Sequence, residues 1–226
     1  MEMKNNDPDQ RTDDWLKLRL GFFTGSEIGK LMGKPKPESK IFTKTAMSYI
    51  YQIAAERDLL DKVLNDEYLW DIYKEQTEKH SKAMEFGTEY EPIARDQYTN
   101  YTGIEMDIPS SVVHPTIPFF SASPDGYNEK ENVCLEIKVP NINTFYQYKT
   151  EIKDAETLKS VNDVYYYQVL SEMLMTGAKR CDFVAFNPFL KHNLHIAQIF
   201  PNEKDISELI ERVQLANEKV DEILNK

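Results

Sequence analysis

The sequence predicts an α/β protein with a central mixed sheet flanked by helices. Apolar residues recur at helical spacing over 43–60, 81–101, 158–175 and 202–224. Short β-type runs, 133–139, 180–186 and 194–200, lie between the later helices. With neither an internal repeat nor an obvious linker, the 226 residues read as a single domain spanning 1–226.

Taken in order, residues 14–20 read as a short helix carrying Trp15, Leu16 and Leu18. Thr24 opens the next: with Glu27 three residues on it forms a capping box, Ile28, Leu31 and Met32 supply the apolar face, and Gly33 closes it. Residues 34–40 form a Pro/Lys loop, expected to be the most mobile segment. Ala46, Ile50, Ile53 and Ala54 mark a helix running to about Leu60, and the acidic 61–79 reads as helix with a break. Phe86, Tyr90, Ile93, Ala94 and Tyr98 define a helix over 81–101, with Gly103 as its stop. Short strands are expected at 104–108, 111–114 and 119–121, leading into 133–139. The helix at 158–175 ends at Gly177, and Asn187-Pro188 turns between the two last strands. Asn202 caps a final amphipathic helix through Ile206, Leu209, Ile210, Val213 and Leu224.

Composition narrows the function. Hydrophobic content of 41% and charged content of 29% are ordinary for a globular protein. No apolar run reaches membrane-spanning length and the first residues are too polar for a secretory signal, so a cytoplasmic protein is expected. Cys134 and Cys181 lie in apolar runs without a Cys-x-x-Cys, which suits buried hydrophobes and argues against thiolate-built zinc or iron–sulfur centres. His80, His114, His192 and His195 show no zincin spacing, and nothing acidic accompanies the 192/195 pair. A net charge of −11 argues against a protein that coats nucleic acid non-specifically. It leaves room for an enzyme with a locally basic channel. Lys17/Arg19, Lys30 and Lys34/Lys36/Lys40/Lys44 are the basic stretches, while the acid excess falls in 56–91 and 203–222.

The chemistry concentrates at Ser123-Pro124-Asp125-Gly126 and Leu135-Glu136-Ile137-Lys138. Glu136 and Lys138, two apart in a strand, project from one face, and Asp125 folds back beside them across 126–132, read as a hairpin loop. Two carboxylates converging on a hard divalent cation, with an ammonium to position or activate water, suit phosphodiester hydrolysis. Glu-x-Lys alone says little, since it recurs at Glu2/Lys4, Glu38/Lys40 and Glu151/Lys153. Only 136–138 sits in a β-type run with Pro-Asp a hairpin away. The plain alternative is a solvated ion pair on one face of the strand.

Five stretches in register resemble the lambda-type phage alkaline exonucleases, the YqaJ-like viral recombinases: Trp15 to Ile28 with Arg19 and Ser26, Phe86-Gly87 to Tyr90-Glu91, the Asp125 turn, the Glu136-x-Lys138 strand, and Tyr167-Gln168-Val169. The resemblance covers roughly 12–190. It implies a PD-(D/E)xK, restriction-endonuclease-like core and a Mg²⁺-dependent nuclease degrading linear duplex DNA from the 5′ end to leave 3′ single strands for recombination. One or two Mg²⁺ ions are implied, with Mn²⁺ as a substitute. Carried over, Glu91, Asp125, Glu136 and the main-chain carbonyl of Ile137 are implied metal ligands, and Lys138 orients or deprotonates water. Arg19, Ser26, Ser123 and Gln168 are the implied 5′-phosphate pocket, a set whose guanidinium, hydroxyls and amide match phosphate oxygens. Locally, Gly87 and Ala94 leave space about Glu91, although an i,i+4 pair with Arg95 on a wet surface is the alternative. The family's second glutamine is Leu170 here. The resemblance also implies duplex ends as substrate, a single-strand annealing protein as partner and a homotrimer as an assembly. Competing readings are an endonuclease on the same fold and an inactive DNA-binding module.

Overall fold

The computed structural model describes residues 8–36, 40–77 and 81–226. Outside them lie the polar first residues 1–7, the part of the Pro/Lys loop at Pro37, Glu38 and Ser39, the end of the acidic stretch at Glu78 and Lys79, and His80.

Four strands form the main sheet in the order β4-β5-β6-β7: Gly126–Asn128, Val133–Lys138, Arg180–Phe186 and Leu194–Ile199. The β4/β5 and β6/β7 pairs are antiparallel and β5/β6 is parallel. A parallel neighbour requires a crossover, and here it is made by three helices, α6 (Ile142–Glu151), α7 (Ala155–Val161) and α8 (Asp163–Thr176). A second, three-stranded sheet, β1-β3-β2, joins Phe23–Thr24, Phe120–Ala122 and Val112–Val113. The mixed sheet expected from sequence is thus present, but split into two. Ahead of and between these strands run α1 (Asp13–Arg19), the 3-10 helix Gly25–Leu31, α2 (Lys44–Arg57), α3 (Asp61–Asn65), α4 (Glu67–Thr77) and α5 (Lys82–Thr102), and α9 (Glu203–Leu224) closes the chain. No helix among the described residues is long and apolar enough to cross a membrane.

Period-two alternation divides the core. Leu135, Ile137, Val184 and Phe186 pack with Ala94 and Tyr98 of α5 on one face of the main sheet. Cys134, Cys181, Phe183 and Ala185 join the larger cluster on the other, with Val169, Leu170 and Met173 of α8. Glu136 and Lys138 share the parity of Cys134 and so face α8. The departure at Leu170 is a core position, fully buried.

Several boundaries fall where the sequence placed them. Ser81 caps α5 and Gly103 ends it at φ 74°, a conformation glycine adopts without a Cβ clash. Thr43 and Asn202 cap α2 and α9. Others differ for physical reasons. The Thr24 capping box does not form: the Thr24 N–H donates to the Tyr49 hydroxyl at 3.0 Å, Glu27 pairs with Lys30, and the segment winds as 3-10 helix. The expected strand at 104–108 is one bridge, Asp107 to Tyr127. What reads as a loop at 126–132 begins with the three residues of β4, leaving a tight turn in which Asn132 takes φ 55°. The single helix expected at 158–175 is two, because Asn162 breaks it and its side chain caps α8.

Candidate active site

The strand pairing brings the motif together. Asp125 lies immediately before β4, and its Oδ2 accepts a 2.7 Å hydrogen bond from the Ile137 N–H, which fastens the turn to the strand bearing Glu136 and Lys138. On the α8 face of that strand the Lys138 ammonium lies 2.5 Å from Glu136 Oε1. The ion pair that sequence offered as the plain alternative therefore exists, but it is not solvated: Glu136 is 1% exposed. From α8, Gln168 completes a closed set of contacts. Its Nε2 donates to Glu136 Oε1 at 2.8 Å and to Glu172 Oε1 at 3.1 Å, while its Oε1 accepts from Lys138 at 3.2 Å. The second oxygen of Glu136 is buried without a hydrogen-bond partner among the described residues. A buried, unpartnered carboxylate oxygen is costly unless something charged completes it.

Glu91 arrives from α5. It is 8% exposed, and each of its oxygens meets a guanidinium, Oε1 receiving Arg95 at 2.7 Å and Oε2 receiving Arg11. The i,i+4 pair with Arg95 is real, yet it faces inward. Arg95 also donates through Nε to the main-chain carbonyl of Asp125 at 2.9 Å, tying α5 to the motif turn. Arg11 sits in the left-handed region, φ 70°. For a residue with a Cβ this costs roughly 1–3 kcal/mol, and such strain gathers at functional sites.

Electrostatics follow from this crowding. Burial, then Glu136 and then Glu91, push the Asp125 carboxyl well above its ordinary value. Glu172 is raised by burial and by Glu136. Burial works against the charged form of Lys138, but Glu136 outweighs it and the amine is raised, so it stands as an ammonium at neutral pH.

All the residues expected of the phosphate pocket line the same cavity, a cleft of about 210 Å³ shared with Glu91, Asp125, Glu136, Ile137 and Lys138. Arg19 lies with its guanidinium 3.9 Å from the centre of the Trp15 ring. Its Nε is buried and unpartnered among the described residues, and so is the Ser123 hydroxyl. Burial lowers Arg19 to about 10, still charged at neutral pH. Ser26 is exposed on the 3-10 helix and Gln168 is buried.

Four cavity residues escaped the sequence reading: Gln10, Arg11, Trp15 as a wall, and Glu172. The signal for Glu172 was a charge one turn after Gln168 inside an otherwise apolar helix face. Tyr165 lies with its ring centre 4.4 Å from the Lys138 ammonium, while Tyr166 and Tyr167 are buried. Behind the cavity, ligand atoms of Cys134, Glu172 and Cys181 fall within 4.8 Å of one another. Burial raises the Cys181 thiol, which disfavours the thiolate a metal needs. His195 bonds the Ile152 carbonyl at 2.8 Å, a packing role.

The model of the YqaJ-like viral recombinase domain matches residues 14–179. The chain belongs to that family. It is a family of nucleases, and the YqaJ-like domain here brings Glu91, Asp125, Glu136 and Lys138 to one cavity. Among solved structures it is similar to an alkaline exonuclease, LHK-Exo, from Laribacter hongkongensis, with 26% identity, 95% of each chain covered and a TM-score of 0.73. The same enzyme solved with dAMP gives the same values. A phage related exonuclease from Haemophilus somnus 129PT shares the fold, at 16% identity over 90% of this chain and 95% of that one, with a TM-score of 0.67. No curated protein sequence matches this chain. The α/β class expected from sequence is therefore the fold of the alkaline exonucleases.

Proposed function

We propose that this chain is a Mg²⁺-dependent 5′→3′ exonuclease that degrades linear duplex DNA from 5′-phosphorylated ends and leaves 3′ single strands for phage-type recombination. The observation that carries the reading is the coexistence, in one cleft, of an unpartnered carboxylate oxygen on Glu136 with unpartnered donors on Arg19 and Ser123. The first suits a cation and the others suit an anion.

The residues present fit a divalent cation. Asp125, Glu136, Glu91 and the Ile137 carbonyl would hold it, an all-oxygen set of the kind magnesium takes, with manganese as a substitute, one or two ions being accommodated. Bound there, the ion supplies Lewis-acid polarisation of the phosphate and a more acidic water. The chain's own groups do the rest. Lys138, an ammonium between Glu136 and Gln168, lacks the lone pair to accept a proton; it orients water and stabilises charge developing on phosphoryl oxygens. Gln168 fixes both Glu136 and Lys138 through its two amide ends. Arg19, held against Trp15, Ser123 and the exposed Ser26 receive the terminal phosphate by charge-assisted hydrogen bonds. Such an anchor counts chain ends, for which an endonuclease has no use. The same reading includes one nuclease domain over 1–226, a homotrimer, an annealing protein as partner, and action in the cytoplasm of a bacterial host.

The test is incubation with Mg²⁺ of linear duplex carrying a 5′-phosphate, linear duplex carrying a 5′-hydroxyl, and closed circular DNA. The first is expected to be degraded fastest, the circle to survive, and Lys138→Ala to abolish cutting. Cleavage of the circle moves the assignment to an endonuclease. Inertness of the wild type towards all three moves it to a binding module.

A further inference from the structure

We propose that Arg11 is a phosphate-binding residue of the cleavage site, held by Glu91 until a divalent cation takes that carboxylate; this rests on the metal-site reading above.

The two guanidiniums on Glu91 are not equivalent. Arg95 is anchored twice, to Glu91 and to the Asp125 carbonyl, and its side chain is 12% exposed. The Arg11 side chain is 45% exposed, and Glu91 is its one side-chain partner among the described residues. The backbone around it is fastened on both sides. Gln10 donates through Nε2 to the carbonyls of Pro109 and Pro124, at 2.7 and 3.1 Å, Ser110 donates to the Pro8 carbonyl, and Thr12 caps α1. A fixed main chain in the left-handed region thus aims a half-exposed side chain into the cavity.

Only one of the two cations is free to leave. A divalent ion sharing Glu91 with a guanidinium is repelled by it, and the repulsion is relieved by the arginine that is singly held and solvent-exposed. Arg11 then lies over a cleft whose other donors, Arg19 and Ser123, still lack acceptors. A planar fork with several N–H donors is suited to two oxygens of a phosphate. Arg11 on Glu91 therefore offsets one carboxylate of the cleft before the cation arrives and turns to substrate afterwards.

Two affinities test this. Manganese binding to the DNA-free protein is measured by titration calorimetry and by the electron paramagnetic resonance of free Mn²⁺. Binding of a short 5′-phosphorylated duplex is measured by anisotropy with Ca²⁺ in place of Mg²⁺. Arg11→Ala is expected to bind Mn²⁺ several-fold tighter, since Glu91 loses a competitor, and to bind duplex about tenfold more weakly, the loss expected for a charged hydrogen bond. Arg11→Lys keeps the charge without the fork, so Mn²⁺ binding near the wild-type value and intermediate duplex binding are expected. Unchanged or weaker Mn²⁺ binding by Arg11→Ala overturns the proposal, and so does unchanged duplex affinity. A wild-type protein that binds no Mn²⁺ at all refutes the metal-site reading instead, which separates the two failures.

Discussion

Asp125 illustrates how a side chain can be costly to the fold and yet be kept for the chemistry proposed for it. Its carboxyl is raised by burial, Glu136 and Glu91, so the folded protein disfavours its charged form. The contribution is benign below the unfolded value near ~4 and becomes a penalty as pH rises above it. Asp125→Asn keeps an oxygen to accept the Ile137 N–H and removes the charge. In chelator-treated protein it should unfold later than wild type at pH 7, by roughly 1–2 kcal/mol, with the difference vanishing near pH 4, while cleavage is lost. Denaturant titrations at the two pH values check it; a variant less stable than wild type at pH 7 contradicts it. At this scale the sequence was informative where a residue was out of character for its surroundings. Acid and lysine inside Val133–Lys138 stood out because β-type runs rarely carry them on a buried face. Arg11 did not, since an arginine in a polar stretch looks like any surface cation, and only its backbone angle and its meeting with Glu91 distinguish it.

Elements hold the cavity by close backbone contact. The 3-10 helix lies against α8, and a Cβ built on Gly29 would sit 2.8 Å from the Val164 Cα. Backbone cannot yield as a side-chain tip can. Gly29→Ala is therefore expected to destabilise by about 1–3 kcal/mol and to shift Ser26 relative to Gln168, lowering activity on 5′-phosphorylated ends more than the stability loss alone explains. A thermal melt beside a rate on both end types decides it. At the far side, Asp205 ties α9 to the crossover. Burial opposes its charged form, but the Lys159 ammonium at 2.7 Å and the Tyr166 hydroxyl at 2.8 Å prevail, and the carboxyl titrates below its ordinary value. The stabilisation is present above the unfolded value of ~4 and is lost as pH falls through the lower folded one. Asp205→Asn should cost about 1–3 kcal/mol at pH 7 and progressively less below pH 4. Helices with clean caps and one apolar stripe were legible. Missed was α6 (Ile142–Glu151), whose aromatics alternate with polar residues and give no clean period, and so was the interruption at Asn162, where a tertiary contact and a cap outweigh an apolar pattern that runs straight through.

The molecule as a whole carries −11, and one cleft gathers the carboxyl groups of Glu91, Asp125, Glu136 and Glu172. Neutralising it should be felt globally. At a hundredfold excess over its dissociation constant, Mg²⁺ is expected to stabilise wild type by ~2.7 kcal/mol. That corresponds to a rise in Tm of roughly 5–10 °C for a chain of this size. Glu136→Ala should flatten the response. Scanning calorimetry with and without chelator measures it, and an equal rise in the variant would place the ion elsewhere. The overall α/β plan could be read in advance, but not the division into two sheets, since β1 has two residues and pairs with a strand almost a hundred positions away. One arrangement also makes the protein its own reporter. Of two indole rings, Trp70 is buried beside Tyr73, far in sequence from the motif, whereas Trp15 lies under the Arg19 guanidinium on the cleft wall. An anion that draws on that guanidinium must alter the Trp15 emission, so in a Trp70→Phe background arrival of a DNA end becomes an optical signal, readable without label and before any bond is cut.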